Sequence, residues 1–160
     1  MFSHSSVYSL CPHPRNVPDD ILELVKETNS VVNINIGHLF LACEDVGAKD
    51  GLPVRIPGEG TLSKVVEHIM YIGEFIGYDH VGIGTDLDGI PDQPEGFEDV
   101  SKYPDVIAEL LRRGVSDQDA AKVAGLNSIR VWAAAEKVAV EMQAEGFPIL
   151  EDEVTYDGPY

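Results

Sequence analysis

The chain has 160 residues, the length of one ordinary domain, and 44% of them are hydrophobic, enough to form a sizeable core. Its 28 acidic residues against 11 Lys and Arg give a net charge of −17, which repels phosphate backbones and anionic lipid headgroups and argues against nucleic-acid or membrane-surface binding. The two cysteines, Cys11 and Cys43, exclude a disulfide framework and a cysteine-rich zinc finger but leave one disulfide open.

The first part of the chain predicts a strand end, a loop and a helix. Residues 2–6 have the pattern of a strand that runs into a loop, and His4 lies at this exit. Pro18 is expected at the first position of the following helix, where its missing N–H costs nothing. The apolar spacing predicts a buried helical face made of Ile21, Leu24 and Val25.

A second strand and a long helix follow. The β-branched run 31–36 predicts a buried strand, with His38 just after its end. Glycines and prolines predict a long surface loop over residues 44–60. Apolar residues at three- and four-residue intervals then predict an amphipathic helix over residues 62–76.

The next strand carries the strongest functional signal. Four apolar or glycine positions, Val81–Gly84, run into the sequence Asp86-Leu-Asp88-Gly89, a pattern typical of a buried strand that ends in an acidic turn. Enzymes built on parallel α/β barrels place catalytic side chains at the carboxyl ends of strands. Asp86 and Asp88 are therefore candidate functional residues.

The remainder predicts helices only. One begins near Pro104, a capping box at Ser116 starts a short one, and Asn127 is expected to cap the last and longest. The apolar face of this last helix holds Val131, Trp132, Ala135, Val138 and Met142. Residues 147–160 predict an acidic, irregular tail after a domain that covers residues 1–146.

This alternation of strands and helices implies right-handed βαβ units and a parallel sheet, so the predicted fold class is α/β. Three parallel strands cannot close a barrel, and a parallel sheet with two open edges is prone to aggregate. The chain is thus either a small open α/β domain or the end of a larger one.

Each candidate residue has a functional and a structural interpretation. His4 lies where an imidazole can bind zinc or a substrate, although a lone histidine is more often structural. Arg15 can bind a carboxylate through two hydrogen bonds or simply pair with a surface acid. Asp86 and Asp88 lack the further ligands of a calcium loop, which leaves metal ligation, acid–base catalysis and turn capping. Function is favoured for Asp86, and turn formation is an equal alternative for Asp88.

Four other histidines are weaker candidates. His13 is in the same loop as Arg15 and His38 follows a strand end, and neither has a spacing that indicates a metal site. His68 lies within the predicted long helix, so we expect a packing role for it. His80 lies at the entry of its strand, the wrong end for catalysis in a barrel. The sequence has neither a glycine-rich phosphate motif nor a Gly-x-Ser-x-Gly nucleophile elbow.

Several segments taken together resemble one enzyme family, the membrane (renal) dipeptidases, which are the M19 zinc peptidases. The matching segments are Phe2–Ser6, Arg15–Asp20, His80–Gly89, Pro94–Pro104, Ile107–Arg113 and the spacing Asn127-x-x-Arg130-Val131. They cover nearly the whole chain outside the loop around residues 44–60 and the tail.

The resemblance implies a fold, an activity and a role for three residues. The family is a (β/α)₈ TIM barrel with a two-zinc site that hydrolyses dipeptides, and this chain corresponds to about its last three strands with their helices. By that resemblance His4 is a zinc ligand, Arg15 binds the free carboxylate of the substrate, and Asp86 is the acid/base residue that also lies beside the substrate amine. The implied cofactor is Zn²⁺ and the implied partner is a dipeptide, with a homodimer left open.

The chain also departs from the family. The family's His-x-Asp ligand pair, its bridging glutamate and a further ligand histidine precede the region that matches this sequence, and one histidine cannot hold two zinc ions. We therefore expect a truncated chain in which Met1 is not the natural start of the fold. The alternative is a catalytically inactive fragment or a product that only binds a partner. The sequence carries no signal peptide and no run of ~20 apolar residues, so it indicates no compartment.

Overall fold

The computed structural model describes residues 1–149 and residue 151 as a mixed arrangement of helices and strands. The strands are β1 (Val32–Ile34), β2 (Cys43–Glu44), β3 (Val54–Arg55) and β4 (Val81–Ile83), and the helices are α1 (Asp19–Glu27), α2 (His38–Leu41), α3 (Leu62–Ile76), α4 (Tyr103–Arg112), α5 (Asp117–Ala121) and α6 (Asn127–Ala144). Short 3₁₀ turns precede β4 and α4, and a π turn joins α5 to α6.

Three parallel segments form the central sheet. Strand β1 pairs in parallel with β4, with Val32 opposite Val81. On the other edge of β1, Phe2 forms a parallel bridge to Val32. The sequence pattern therefore predicted the parallel pairing correctly, and β1 lies in the middle of the three segments.

The core lies between this sheet and the helices. Helix α3 contacts β1 and β4 as well as α1 and α4. Along β1 and its extension, Val32, Ile34 and Ile36 alternate with Asn33 and Asn35, so one face of the strand is apolar and the other polar. The apolar cluster between sheet and helices includes Val32, Ile34, Ile36, Val65, Val66, Ile69, Ile72, Val81, Val106 and Leu110.

The segment predicted as a long loop contains short elements. Strands β2 and β3 pair antiparallel, with Cys43 opposite Arg55 and Glu44 opposite Val54. Helix α2 precedes them and is separated from β1 by residues 35–37. Elements of two to four residues are too short to give a recognisable hydrophobic period, which is why the sequence pattern missed them.

The buried face predicted for α1 is wrong at Leu24. This side chain is 50% exposed, whereas Leu22 and Val25 are buried. A helix turns about 100° per residue, so Leu24 lies about 200° around the axis from Leu22. Pro18 is the residue before α1 rather than its first residue.

The apolar face predicted for α6 is not buried either. Trp132 is 62% exposed and Val138 is 52% exposed. Hydrophobic spacing shows which side chains share a face but not whether another element covers that face. Asn127 does not cap the helix: it is the first helical residue, and its Nδ2 donates to the carbonyls of Tyr78 and Val81.

None of the helices described is long and apolar enough to span a membrane. The predicted irregular tail lies mostly outside the described residues.

Candidate active site

The three parallel segments end at the same edge of the sheet, and each is followed by a polar side chain. His4 follows the Phe2 segment, Asn35 follows β1 and Asp86 follows β4. Asn35 Nδ2 donates to Asp86 Oδ2 at 3.3 Å. Ser6 Oγ donates to the carbonyl oxygen of Asn35 at 2.9 Å. Hydrogen bonds therefore join the carboxyl ends of all three segments.

Asp86 occupies a constrained turn. Its φ is +59°, in the left-handed region that aspartate tolerates better than most residues. The amide of Gly89 donates to the Asp86 carbonyl at 2.8 Å, and a Cβ on Gly89 would overlap the Asp86 carboxylate. Asp86 is half-buried whereas Asp88 is exposed. The turn thus fixes the position of the Asp86 carboxylate, whereas the Asp88 side chain is exposed to solvent.

Asn35 is a site residue that the sequence analysis missed. It is 1% exposed, and its Oδ1 accepts a hydrogen bond of 2.7 Å from the amide of Gly37. Its amide group therefore has a partner on both sides, which fixes the direction of the bond to Asp86. The alternation of Asn33 and Asn35 with β-branched residues is the signal that could have identified it, since period two places both asparagines on one face.

Arg15 and His4 lie next to each other. Arg15 Nη2 donates to His4 Nδ1 at 3.2 Å. The Arg15 guanidinium also stacks over the Phe40 ring, 5.0 Å from its centroid. Arg15 itself is exposed, so its remaining N–H groups are accessible to a ligand.

Asn16 fixes the loop that carries Arg15. Its Nδ2 donates to the carbonyls of Cys11 and Phe40, each at 2.9 Å, and its Oδ1 accepts from the amide of Ser6 at 3.2 Å. A disulfide between Cys11 and Cys43 anchors the same loop to β2. The bridge that the sequence left open is therefore formed, and it stabilises the loop behind Arg15.

His13 completes this loop. Its Nδ1 accepts from the Arg15 amide at 3.1 Å, and its ring packs edge-on against Phe40 with centroids 4.8 Å apart. Burial lowers the pKa of His13, and the charge of Arg15 lowers it further. A neutral His13 avoids repulsion with the guanidinium beside it.

His68 has the packing role that the sequence suggested, and His80 lies at the entry of β4, as expected. His68 is fully buried, where its Nδ1 accepts from the amide of Val7 and its Nε2 donates to the carbonyl of Leu41. Burial lowers the pKa of His68 to about 4. His80 Nδ1 donates to the carbonyl of Ser30 at the opposite end of the sheet from Asp86.

The described residues do not fit a two-zinc site. Residues 1–149 and 151 contain no group of three or more His, Cys, Asp or Glu side chains that could hold a metal ion. His4 Nδ1 accepts from Arg15, so in the neutral ring the proton is on Nε2 and neither nitrogen offers a lone pair to a metal. His4 can bind zinc through Nε2 only if Arg15 gives up this hydrogen bond.

The three predicted site residues thus lie in two linked pairs. Arg15 contacts His4, and Asp86 contacts Asn35. Ser6 bonds to Asn35 through its hydroxyl and to Asn16, the neighbour of Arg15, through its amide. The site is therefore one hydrogen-bonded unit built on three strand ends.

Comparison with known proteins identifies the family. The family model of the membrane dipeptidases, peptidase family M19, matches residues 1–146. This chain belongs to that family. The resemblance drawn from the sequence motifs is therefore confirmed.

Three curated fungal dipeptidases are similar to this chain. Dipeptidase aclJ of Aspergillus oryzae is 47% identical over 154 residues, which cover 96% of this chain and 33% of that protein. Dipeptidase tcpJ of Claviceps purpurea is 41% identical with the same coverage, and dipeptidase ataJ of Aspergillus terreus is 46% identical over 91% of the chain. The chain thus spans about a third of the length of the curated relatives it matches.

Two solved structures share the fold over most of the chain. A metallopeptidase from Rhodobacter sphaeroides, solved with a phosphinate mimic of the dipeptide L-Ala-D-Ala, superposes with a TM-score of 0.61 at 28% identity. The match covers 78% of this chain and 32% of that one. The probable dipeptidase PvdM from Pseudomonas aeruginosa gives a TM-score of 0.64 at 26% identity over 81% of this chain and 43% of its own.

Proposed function

We propose that this chain supplies substrate binding and proton transfer for the hydrolysis of a dipeptide. The observation that carries the proposal is the hydrogen-bonded unit that places Asp86 and Arg15 at one edge of the sheet. A carboxylate and a guanidinium at strand ends suit a substrate that has a scissile amide close to a free carboxylate.

Arg15 binds the free carboxylate of the dipeptide. Its planar guanidinium is exposed and stacked on Phe40, so little conformational freedom is lost when two N–H groups meet two carboxylate oxygens. A residue that binds the terminal carboxylate restricts the substrate to peptides with a single residue after the scissile bond.

Asp86 moves the proton. Hydrolysis adds water to the carbonyl carbon and breaks the C–N bond, so one proton of the water must reach the leaving nitrogen. Asp86 accepts that proton as the water attacks and donates it as the amine leaves. The bond from Asn35 and the space left by Gly89 hold the carboxylate ready for both steps.

We also propose that the three parallel segments are the last three strands of a (β/α)₈ barrel. Their chain order and parallel pairing agree with this arrangement, and the matches cover 32% and 43% of the two solved structures. In such a barrel His4 would supply one zinc ligand through Nε2, on condition that Arg15 gives up its hydrogen bond to His4 Nδ1.

Metal analysis tests the zinc part of the proposal. Dialysis of the purified 160-residue chain against Zn²⁺, followed by atomic absorption, is expected to give less than one zinc ion per chain, because the described residues contain no group of three or more side chains that could hold a metal ion. Two tightly bound zinc ions per chain would contradict this.

A chimaera tests the catalytic part. In it, this chain replaces the matched third of dipeptidase aclJ, and amino-acid release from Gly-Leu is measured. We expect hydrolysis by the chimaera, loss of most activity on Asp86→Ala, and loss of dipeptide affinity on Arg15→Ala. Near-normal kinetics for both variants would overturn the assigned roles. A folded chimaera without activity would support an inactive or binding-only product instead.

A further inference from the structure

A cavity of about 180 Å³ lies beside the candidate site, and its lining includes Phe40, which contacts Arg15, and Gly37, whose amide bonds to Asn35. Its walls are apolar and include Leu39, Phe40, Ile90 and Pro91, while Arg55 and Asp92 lie at its rim. We propose that this space, the Ile90 cavity, receives an uncharged apolar side chain on the carboxyl-terminal residue of the dipeptide. The inference rests on the proposed function and adds the class of substrate.

The position of the cavity follows from its contacts. Phe40 lines it and also supports the guanidinium of Arg15, 5.0 Å from the ring centroid. On its other side lies Gly37, whose amide bonds to Asn35, which in turn holds Asp86. A residue with its carboxylate on Arg15 and its nitrogen toward Asp86 has its Cα between these groups. Its side chain is then directed to the Ile90 cavity.

The size suits a side chain such as leucine or phenylalanine. An apolar protein cavity of about 150 Å³ is large enough to bind benzene. Gly37 keeps the space open, because a Cβ there would lie 3.1 Å from both Ile90 Cγ2 and the Phe40 ring. A larger residue at position 37 would therefore fill part of the cavity.

The charges at the rim are already paired. Arg55 Nη1 and Asp92 Oδ2 are 2.6 Å apart, and Arg55 also contacts the imidazole of His38. His38 Nε2 in turn donates to the carbonyl of Gly60 at 2.9 Å. These contacts leave no unpaired charge in the cavity to compensate a charged substrate side chain, whose burial would be costly. The preference is therefore for apolar over charged residues.

Titration of the 160-residue chain with dipeptides, followed by NMR chemical shifts, tests the inference without requiring hydrolysis. We expect Gly-Leu to bind about tenfold or more tightly than Gly-Gly, and Gly-Asp to bind no better than Gly-Gly. Ile90→Trp fills the cavity and should remove the advantage of Gly-Leu while leaving the Kd of Gly-Gly unchanged. Leu39→Trp is a second filling variant at a less buried position, and Leu24→Trp on the exposed face of α1 is the control.

Failure of the cavity proposal and failure of the proposed function would give different results in these experiments. Equal binding of Gly-Gly and Gly-Leu, lost on Arg15→Ala, would overturn the cavity and leave dipeptide recognition by Arg15 intact. An advantage of Gly-Leu that survives both tryptophan variants would also overturn it. Absence of binding by every dipeptide would refute both the cavity and the role of Arg15, whereas binding without hydrolysis in the chimaera would refute only the catalytic proposal.

Discussion

The side chain of Asn35 links the ends of two neighbouring strands by donating to Asp86 Oδ2 at 3.3 Å while accepting from the Gly37 amide at 2.7 Å. Because Asn35 is buried and has partners on both sides, it cannot rotate without breaking a hydrogen bond. The carboxylate of Asp86 is therefore positioned from β1 as well as from its own turn.

Asn35→Leu should separate positioning from packing. Leucine keeps the volume but leaves the Gly37 amide without its acceptor, so we expect a loss of about 1–3 kcal/mol in unfolding free energy. In the aclJ chimaera kcat should fall while KM for Gly-Leu changes little, because Arg15 is untouched. Asn33→Leu is the control, since Asn33 bonds to Ser128 rather than to Asp86. Equal falls in kcat for both variants would refute the positioning role.

Asp86 itself allows a test that distinguishes backbone conformation from charge. Its φ of +59° favours Asp or Asn over alanine, so Asp86→Ala should lower the unfolding free energy by about 1 kcal/mol more than Asp86→Asn. Both variants remove the proton carrier and should inactivate the chimaera. Urea unfolding and dipeptide assays of the two proteins check this. An active Asp86→Asn variant would show that the carboxylate is dispensable.

The sequence predicted the parallel sheet and helix α3, but it did not reveal the contact between Asn35 and Asp86. Periodicity located α3, and strand-helix alternation gave the parallel order, because both patterns repeat over many residues. The side chains at strand ends depend on neighbours distant in sequence: Asn35 meets Asp86 across 51 positions. Such a pair is visible only once the register of β1 and β4 is known.

Burial was the other property that the pattern could not provide. Leu24 and Trp132 are both exposed although each lies in an apolar helical pattern. Whether such a side chain is covered depends on which element packs on that face, and the spacing within a single helix carries no information about its neighbour.

The buried imidazole of His68 should make the free energy of unfolding depend on pH. The pKa of His68 is lowered by burial from 6.5 to about 4, so the unfolded chain binds a proton between these values and the folded chain does not. The contribution of His68 to the free energy of unfolding is therefore present above pH 6.5 and is lost as the pH falls toward 4. Between pH 7 and pH 5 this loss is about 2 kcal/mol.

The variant His68→Gln isolates this effect. Glutamine can accept from the Val7 amide and donate to the Leu41 carbonyl, as His68 does, but it does not titrate. Urea unfolding at pH 7 and pH 5 should show the 2 kcal/mol loss for the wild type and a correspondingly smaller loss for the variant. The same pH dependence in both proteins would place its origin in other groups.

Loss of the disulfide should lower the free energy of unfolding and also weaken dipeptide binding. Cys11 and Cys43 are 32 positions apart, and closing a loop of that length stabilises the fold by about 4 kcal/mol in the chain-entropy account. Cys11→Ala combined with Cys43→Ala should lose this amount in urea unfolding. It should also weaken Gly-Leu binding, because Cys11 anchors the loop that carries Arg15. Dithiothreitol should destabilise the wild type and leave the double variant unchanged, since only the wild type has a bond to reduce. Unchanged Gly-Leu binding by the folded double variant would show that Asn16 alone holds this loop.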